Sequence, residues 1–235
     1  MTVAIDAGEL VALVGVNGSG KSTLMRLMAG TLPTSSGRAL LDGKDISRYK
    51  PRELARKVAV LHQHAPAVPG LTARQLVRQG RYPHRGLIGM LRDVDDKVCM
   101  TALRDAGIVD LADREVVQLS GGNVSGYAWL WHWPSRPACC CSTSRPRTER
   151  QLTVVMVLHD LNQAARFTDR IVVVDRGRIV GDGPPATVVT SQLLRDVFGV
   201  EGRRADTGGA VPYFIHQDPI PQRENPARPG PNTVP

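Results

Sequence analysis

Short apolar runs, separated by glycine-, proline- and charge-rich stretches, set the rhythm of this chain. Leu10-Val11-Ala12-Leu13-Val14 is a continuous run rich in β-formers, the pattern of a strand buried in a parallel sheet. Val58 to Leu61, Thr153 to Leu158 and Ile171 to Val174 repeat it. Between the first two, Ser22 to Ala29 (with Leu24, Met25, Leu27 and Met28) is helix-compatible, and Thr31 to Gly43 reads as a loop, a strand and a turn. From about Pro69 to Leu119 the pattern is largely helical. Asp175-Arg176-Gly177-Arg178 has hairpin-turn chemistry and should join Ile171–Val174 to a strand at Arg178 to Gly181. The pattern predicts an α/β domain of parallel strands and flanking helices, interrupted by a helical insert.

The first strand leads into Gly15-Val16-Asn17-Gly18-Ser19-Gly20-Lys21-Ser22-Thr23, which fits the G-x-x-x-x-G-K-[ST] phosphate-binding loop. Glycines at 15, 18 and 20 let the backbone turn tightly and point successive N–H groups at phosphate oxygens. The helix that follows aims its positive N-terminus at the same anion. Lys21 supplies a point charge to the β- and γ-phosphates, and the Ser22 hydroxyl a ligand for Mg²⁺. An ordinary glycine-rich turn is the plainer explanation, but the strand before the loop and the helix after it argue for the phosphate-binding one. Nucleotide binding alone does not choose among kinases, GTPases and transporters.

At 235 residues with 42% hydrophobic content, the chain can bury one substantial core, or a core plus a small subdomain. Met1 to Glu9 carries two acids and no Lys or Arg, which argues against a secretory signal. No apolar run approaches the about 20 residues needed to cross a bilayer, so a soluble chain with at most a peripheral membrane role is expected. The formal net charge of +8 is local in origin: nine Lys or Arg lie between Arg48 and Arg85 against one acid, Glu53. Solvated helix faces are the preferred reading, and a basic nucleic-acid-binding P-loop protein the alternative. Three of the four cysteines, Cys139, Cys140 and Cys141, are adjacent, which matches no common zinc-ligand spacing.

Beyond the loop come Gln63 after a strand, Gly80-Arg81-Tyr82-Pro83-His84-Arg85-Gly86, Leu119-Ser120-Gly121-Gly122, and Val157-Leu158-His159-Asp160-Leu161-Asn162-Gln163-Ala164. This order resembles the ATP-binding subunits of ABC transporters, a P-loop NTPase fold with a helical insert. The phrases at 80–86 and 157–164 look like the ferric-siderophore and cobalamin importer branch. The resemblance implies that two subunits pair head to tail, Lys21 of one and Ser120, Gly121 and Gly122 of the other enclosing one ATP. It implies that Gln63 contacts Mg²⁺ and the attacking water, and that His159 reaches the γ-phosphate. It further implies membrane permease partners, an indirect link to a substrate-binding protein, no nucleic acid, and a peripheral place on the cytoplasmic face of a bacterial membrane. Two other apolar runs end in Asp, at Asp160 and Asp175. Neither is taken for the Mg²⁺-binding strand: one carries His159, and the other runs into the hairpin turn.

Between Gly122 and Leu152 the family pattern breaks. The resemblance calls for a Gln-Arg-rich helix start, an apolar strand ending Leu-Leu-Asp-Glu-Pro, a D-loop and a helix. Asn123 to Arg150 instead holds Trp129, Trp131 and Trp133, three cysteines, Pro134, Pro137 and Pro146, with Glu149 its only acid. A gene reading CAACGTCAGCGG spells Gln-Arg-Gln-Arg, and one base later Asn123-Val124-Ser125-Gly126. CTGCTGCTGCTCGACGAGCCGA spells Leu-Leu-Leu-Leu-Asp-Glu-Pro, and at the same offset Cys139-Cys140-Cys141-Ser142-Thr143-Ser144-Arg145. The segment therefore reads as family sequence translated one base out of frame, with the frame restored, and coding sequence lost, between about Thr148 and Leu152.

The carboxylates that would hold the Mg²⁺ shell and polarise water are then absent, and hydrolysis should slow by orders of magnitude. The displaced strand is expected beside the P-loop strand, so that its loss weakens the core. The resemblance implies an earlier start, with an aromatic that stacks on adenine, and a start codon placed too late would account for the absence of one from Thr2 to Ala7. The expected organisation is an ATP-binding domain over 1–200, its helical subdomain at about 69–122 and its altered segment at 123–150. A proline-rich tail, 201–235, follows and is expected to be loosely packed or unstructured from Asp206. Two functions remain open at this stage beside the importer ATPase: a non-catalytic remnant that at most binds nucleotide, and the nucleic-acid-binding protein.

Overall fold

The computed structural model describes residues 1–60, 69–84, 94–105, 107–120, 139–141, 152–205 and 213–219. A six-stranded sheet forms the centre, built from β1 (Leu10–Val14), β4 (Val58–Val60), β5 (Cys139–Cys141), β6 (Thr153–Val157), β7 (Arg170–Asp175) and β8 (Arg178–Gly183). Its order is β4-β5-β6-β1-β7-β8, parallel except for the antiparallel last pair. Two short strands, β2 (Leu40–Leu41) and β3 (Lys44–Asp45), form a separate ribbon.

The unbroken apolar character of β1 follows from its place, since both of its faces are covered. Val11 and Leu13 point to one side, where Leu24 and Met25 of α1 (Lys21–Met28) join Val155, Val157, Val172 and Val174. Ala12 and Val14 point to the other, against Leu161, Ala164 and Ala165 of α5 (Leu161–Phe167), with Ile171, Val173 and Leu194. Burial of such side chains contributes about 1.5–3 kcal/mol each.

Two expectations about the altered segment need correction. The strand beside β1 is β6, which carries His159 just past its end, whereas β5 lies one strand further out, between β4 and β6. Proline removes ladder donors, so the composition of 123–150, with Pro134, Pro137 and Pro146, argues against a packed sheet, yet Cys139–Cys141 pairs with Val58–Val60 on one side and Thr153–Val155 on the other. A ladder needs only main-chain donors and acceptors, and no proline falls within those three residues. The rest of 123–150 lies outside the described residues.

The insert has a core of its own. Thr72 caps α3 (Ala73–Gln79) reciprocally with Gln75: the Gln75 N–H donates to the Thr72 hydroxyl at 3.2 Å, and the Thr72 N–H to Gln75 Oε1 at 2.9 Å. Ala73 and Val77 then pack on Cys99, Ala102 and Leu103 of α4 (Val94–Asp105), with Ile108 and Ala112 closing the cluster. Arg74 grips Asp113 through two bonds of 2.9 and 3.0 Å, which lowers the Asp113 pKa.

The basic stretch is solvated as expected: Arg48 and Lys50, then Arg52 and Arg56 on α2 (Pro51–Lys57), and Arg78 on α3 are exposed. Two tyrosines within it lie under nearby cations, Tyr49 under Lys44 and Tyr82 under Arg52.

At the start of the chain, Val3 and Ile5 pack on the sheet without forming a strand. Arg170 ties this segment down, donating to the Ala4 carbonyl at 3.0 Å and, through two nitrogens, to Asp182 at 2.6 and 2.9 Å. One stretch of the tail departs from the expectation of a loosely packed or unstructured end. Tyr213–Pro219 (β10) pairs antiparallel with Val200–Ala205 (β9). The β-formers Tyr213, Phe214 and Ile215 precede the proline-dense end and were outweighed by it in the composition of 206–235.

Candidate functional site

The loop at Gly15 to Gly20 leaves the C-terminal end of β1 and enters α1 at Lys21. Its shape depends on positions where no side chain fits. At Gly15, φ is +147°, and a Cβ would stand 2.1 Å from the carbonyl oxygen of Val174. Gly20, at φ +106°, is the left-handed N-cap of α1 and uses no side chain to cap the helix. The first turn of α1 carries no acid, so its leading N–H groups face outward with the dipole's positive end and are suited to an anion.

Lys21 is 5% exposed and folds back over the loop. Its ammonium donates to the carbonyls of Gly15 and Val16, each at 2.8 Å, and to the Ser19 hydroxyl at 3.4 Å. Burial pushes its pKa down from the usual lysine value. A cation held by two carbonyls is ready to exchange those oxygens for phosphate oxygens, which carry full charge. Ser22 and Thr23, together with Asn17 and Gly18, are exposed around it, while Ser19 is buried.

β6 brings His159 to this end of the sheet. Val157 faces Leu13 in the ladder, and the Leu158 N–H donates to the Leu13 carbonyl at 3.1 Å, so His159 emerges beside the start of the loop. Its side chain is exposed. Asp160 caps α5, accepting the N–H groups of Asn162 and Gln163, which uses its carboxylate locally. Asp175 ends β7 opposite Arg178 across the hairpin turn. Both runs rejected as the Mg²⁺-binding strand are thus otherwise employed. Ser120 ends a short 3₁₀ turn, Val116–Ser120, while Gln63, Gly121 and Gly122 lie outside the described residues.

One contact escaped the sequence. The N–H of Gly177, in the turn between β7 and β8, donates to the Ser19 carbonyl at 2.8 Å. The Arg-Gly pair marks a tight turn, but nothing local says what that turn touches.

The ABC transporter family profile matches residues 1–128, ending inside the altered segment. The chain belongs to the ABC transporter family. It is 33% identical over 219 residues to the ferric enterobactin transport ATP-binding protein FepC of Escherichia coli K12, covering 85% of this chain and 80% of that one. With the petrobactin import ATP-binding protein FpuC of Bacillus anthracis the identity is 36% over 220 residues, covering 86% and 80%. The fold matches that of a bacterial ABC transporter cassette solved as a dimer, with a TM-score of 0.65 at 23% identity over 78% of this chain and 88% of that one. Members of the family bind ATP and hydrolyse it.

Proposed function

We propose that this chain is the ATP-binding subunit of an importer for iron-siderophore complexes, and that it binds Mg²⁺-ATP while turning it over far more slowly than its relatives. The observation that carries the first half is the loop itself: Lys21 poised on the Gly15 and Val16 carbonyls at the head of an acid-free helix. Its place in the siderophore branch is supported by relatives whose names specify ferric enterobactin and petrobactin transport.

Gly15, Gly18, Ser19 and Gly20 shape the cradle, Asn17 rims it, and Lys21 neutralises the β- and γ-phosphates. Among the described residues no group of three or more His, Cys, Asp or Glu could hold a metal. The exposed Ser22 hydroxyl, at the first turn of α1, instead fits a Mg²⁺ that arrives on the nucleotide and keeps most of its waters, with Gln63 as a second ligand. Bound there, the ion would offset charge on the phosphate oxygens. His159 would contact the γ-phosphate. Ser120, Gly121 and Gly122 of a second subunit would close the site from the opposite side, in a head-to-tail dimer docked on permease subunits at the cytoplasmic face of the membrane. No helix among the described residues is long and apolar enough to cross it.

The second half rests on Cys139–Cys141. This strand sits between β4 and β6 and takes the place in the chain of the family's carboxylate-bearing strand, and its sequence continues as Ser142-Thr143-Ser144. With neither Asp nor Glu at its end, this strand supplies no carboxylate to polarise the attacking water. That observation favours the non-catalytic reading for this chain over full activity. The test is to titrate purified protein with a fluorescent ATP analogue and follow phosphate release in parallel. Saturable, Mg²⁺-dependent binding that Lys21→Ala weakens by about tenfold to a hundredfold, with turnover at the level of the Lys21→Ala blank, is expected. Failure to bind ATP would overturn the proposal.

A further inference from the structure

The end of β7 and the turn that follows it touch the phosphate loop at its two ends. Val174, the penultimate residue of β7, places its carbonyl against Gly15, and its Cγ1 would lie 4.0 Å from a Cβ at Gly20. Such a Cβ would also stand 3.6 Å from the Gly177 Cα, so two glycine backbones face each other here. Arg176 and Gly177 have φ of +45° and +74°, the pair of positive values that a two-residue hairpin loop requires. In that turn Asp175 pairs with Arg178, which leaves the Gly177 N–H outside the ladder, and it bonds the Ser19 carbonyl instead.

That bond fixes more than a distance. The peptide between Ser19 and Gly20 is planar and trans, so its C=O and N–H point in opposite directions. A Ser19 carbonyl held toward the hairpin forces the Gly20 N–H toward the side away from it, where α1 begins. No hydrogen bond within the described residues uses the Gly20 N–H. Gly20 is free to rotate at φ +106°, so without the brace this peptide could flip and present an oxygen to the anion.

We propose that Gly177 is a positioning residue for nucleotide binding: its amide locks the Ser19–Gly20 peptide in the orientation that aims the Gly20 N–H at phosphate. The inference rests on the P-loop being the nucleotide site, and its test separates the two. A Cβ at Gly177 meets nothing within 4 Å, so the space there admits a side chain and the backbone angle is the constraint. Gly177→Asn tolerates the left-handed conformation and keeps the N–H, whereas Gly177→Val cannot hold it and pulls the amide away. Losing one charge-assisted donor corresponds to about tenfold weaker ATP binding. Gly177→Val should show that loss with a native circular-dichroism spectrum, and Gly177→Asn should bind ATP like the unaltered chain. Equal affinities for the two variants would overturn the proposal. Hydrogen exchange of the Gly177 amide in the unaltered, nucleotide-free chain gives a second reading that survives a folding defect in either variant. Protection is expected, and fast exchange would overturn the brace whether or not the chain binds ATP.

Discussion

Gly15 and Val174 are in backbone contact: the carbonyl oxygen of Val174 occupies the space where any Cβ at position 15 would have to be, 2.1 Å away. The obstacle is main chain in a central strand, so it cannot swing aside. Gly15→Ala should therefore displace the loop, abolish ATP binding, and destabilise the fold by about 1–3 kcal/mol through overpacking. Urea unfolding and nucleotide titration on the same preparation check both. Unchanged affinity would mean that the loop tolerates a shift which its geometry forbids.

Lys21 makes a sharper functional prediction. It is buried and bonded to two carbonyls, and removing it deletes the charge that meets phosphate. Lys21→Ala should weaken ATP binding by about tenfold to a hundredfold, in line with the worth of a hydrogen bond to a charged group. Equilibrium titration measures it.

Core packing on the α1 side depends on Leu13, which is fully buried between β6 and β7. Leu13→Ala should cost about 2–5 kcal/mol, read as a lower urea midpoint with an unchanged slope. Its side chain points toward Leu24 and Met25 of α1, so ATP affinity should also fall as the helix that follows the loop loosens.

Arg170, itself anchored to Asp182 of β8, holds the first residues of the chain to the sheet through the Ala4 carbonyl and Glu9. Arg170→Lys offers one point charge in place of a planar fork and should restore little of what Arg170→Ala removes. Both variants should release the segment before β1, seen as faster proteolysis near Met1 with the core's melting cooperativity kept.

The phosphate loop, its flanking strand and helix, the β7–β8 hairpin and the helical insert were all legible, because each is written in local pattern: an apolar run, spaced glycines, an Arg-Gly turn. Sheet order was not. Buried parallel strands look alike in sequence, so nothing in Thr153–Val157 announces that it, rather than the strand before it, lies against β1. The pairing of Cys139–Cys141 was hidden for the opposite reason, since the ladder is made by backbone that composition does not report. The contact of Gly177 with Ser19 joins residues far apart in the chain, and only the fold brings them together. The absence of Asp and Glu from Cys139 to Ser144, by contrast, is read directly from the sequence.

Binding without turnover is the central claim, and single-turnover phosphate release from the chain saturated with Mg²⁺-ATP tests it most directly. With Lys21→Ala as the blank, the account predicts full occupancy by nucleotide and phosphate release no faster than the blank. Lys21-dependent release at about 1 s⁻¹ or more, the lower end of ordinary enzymatic turnover, would contradict it.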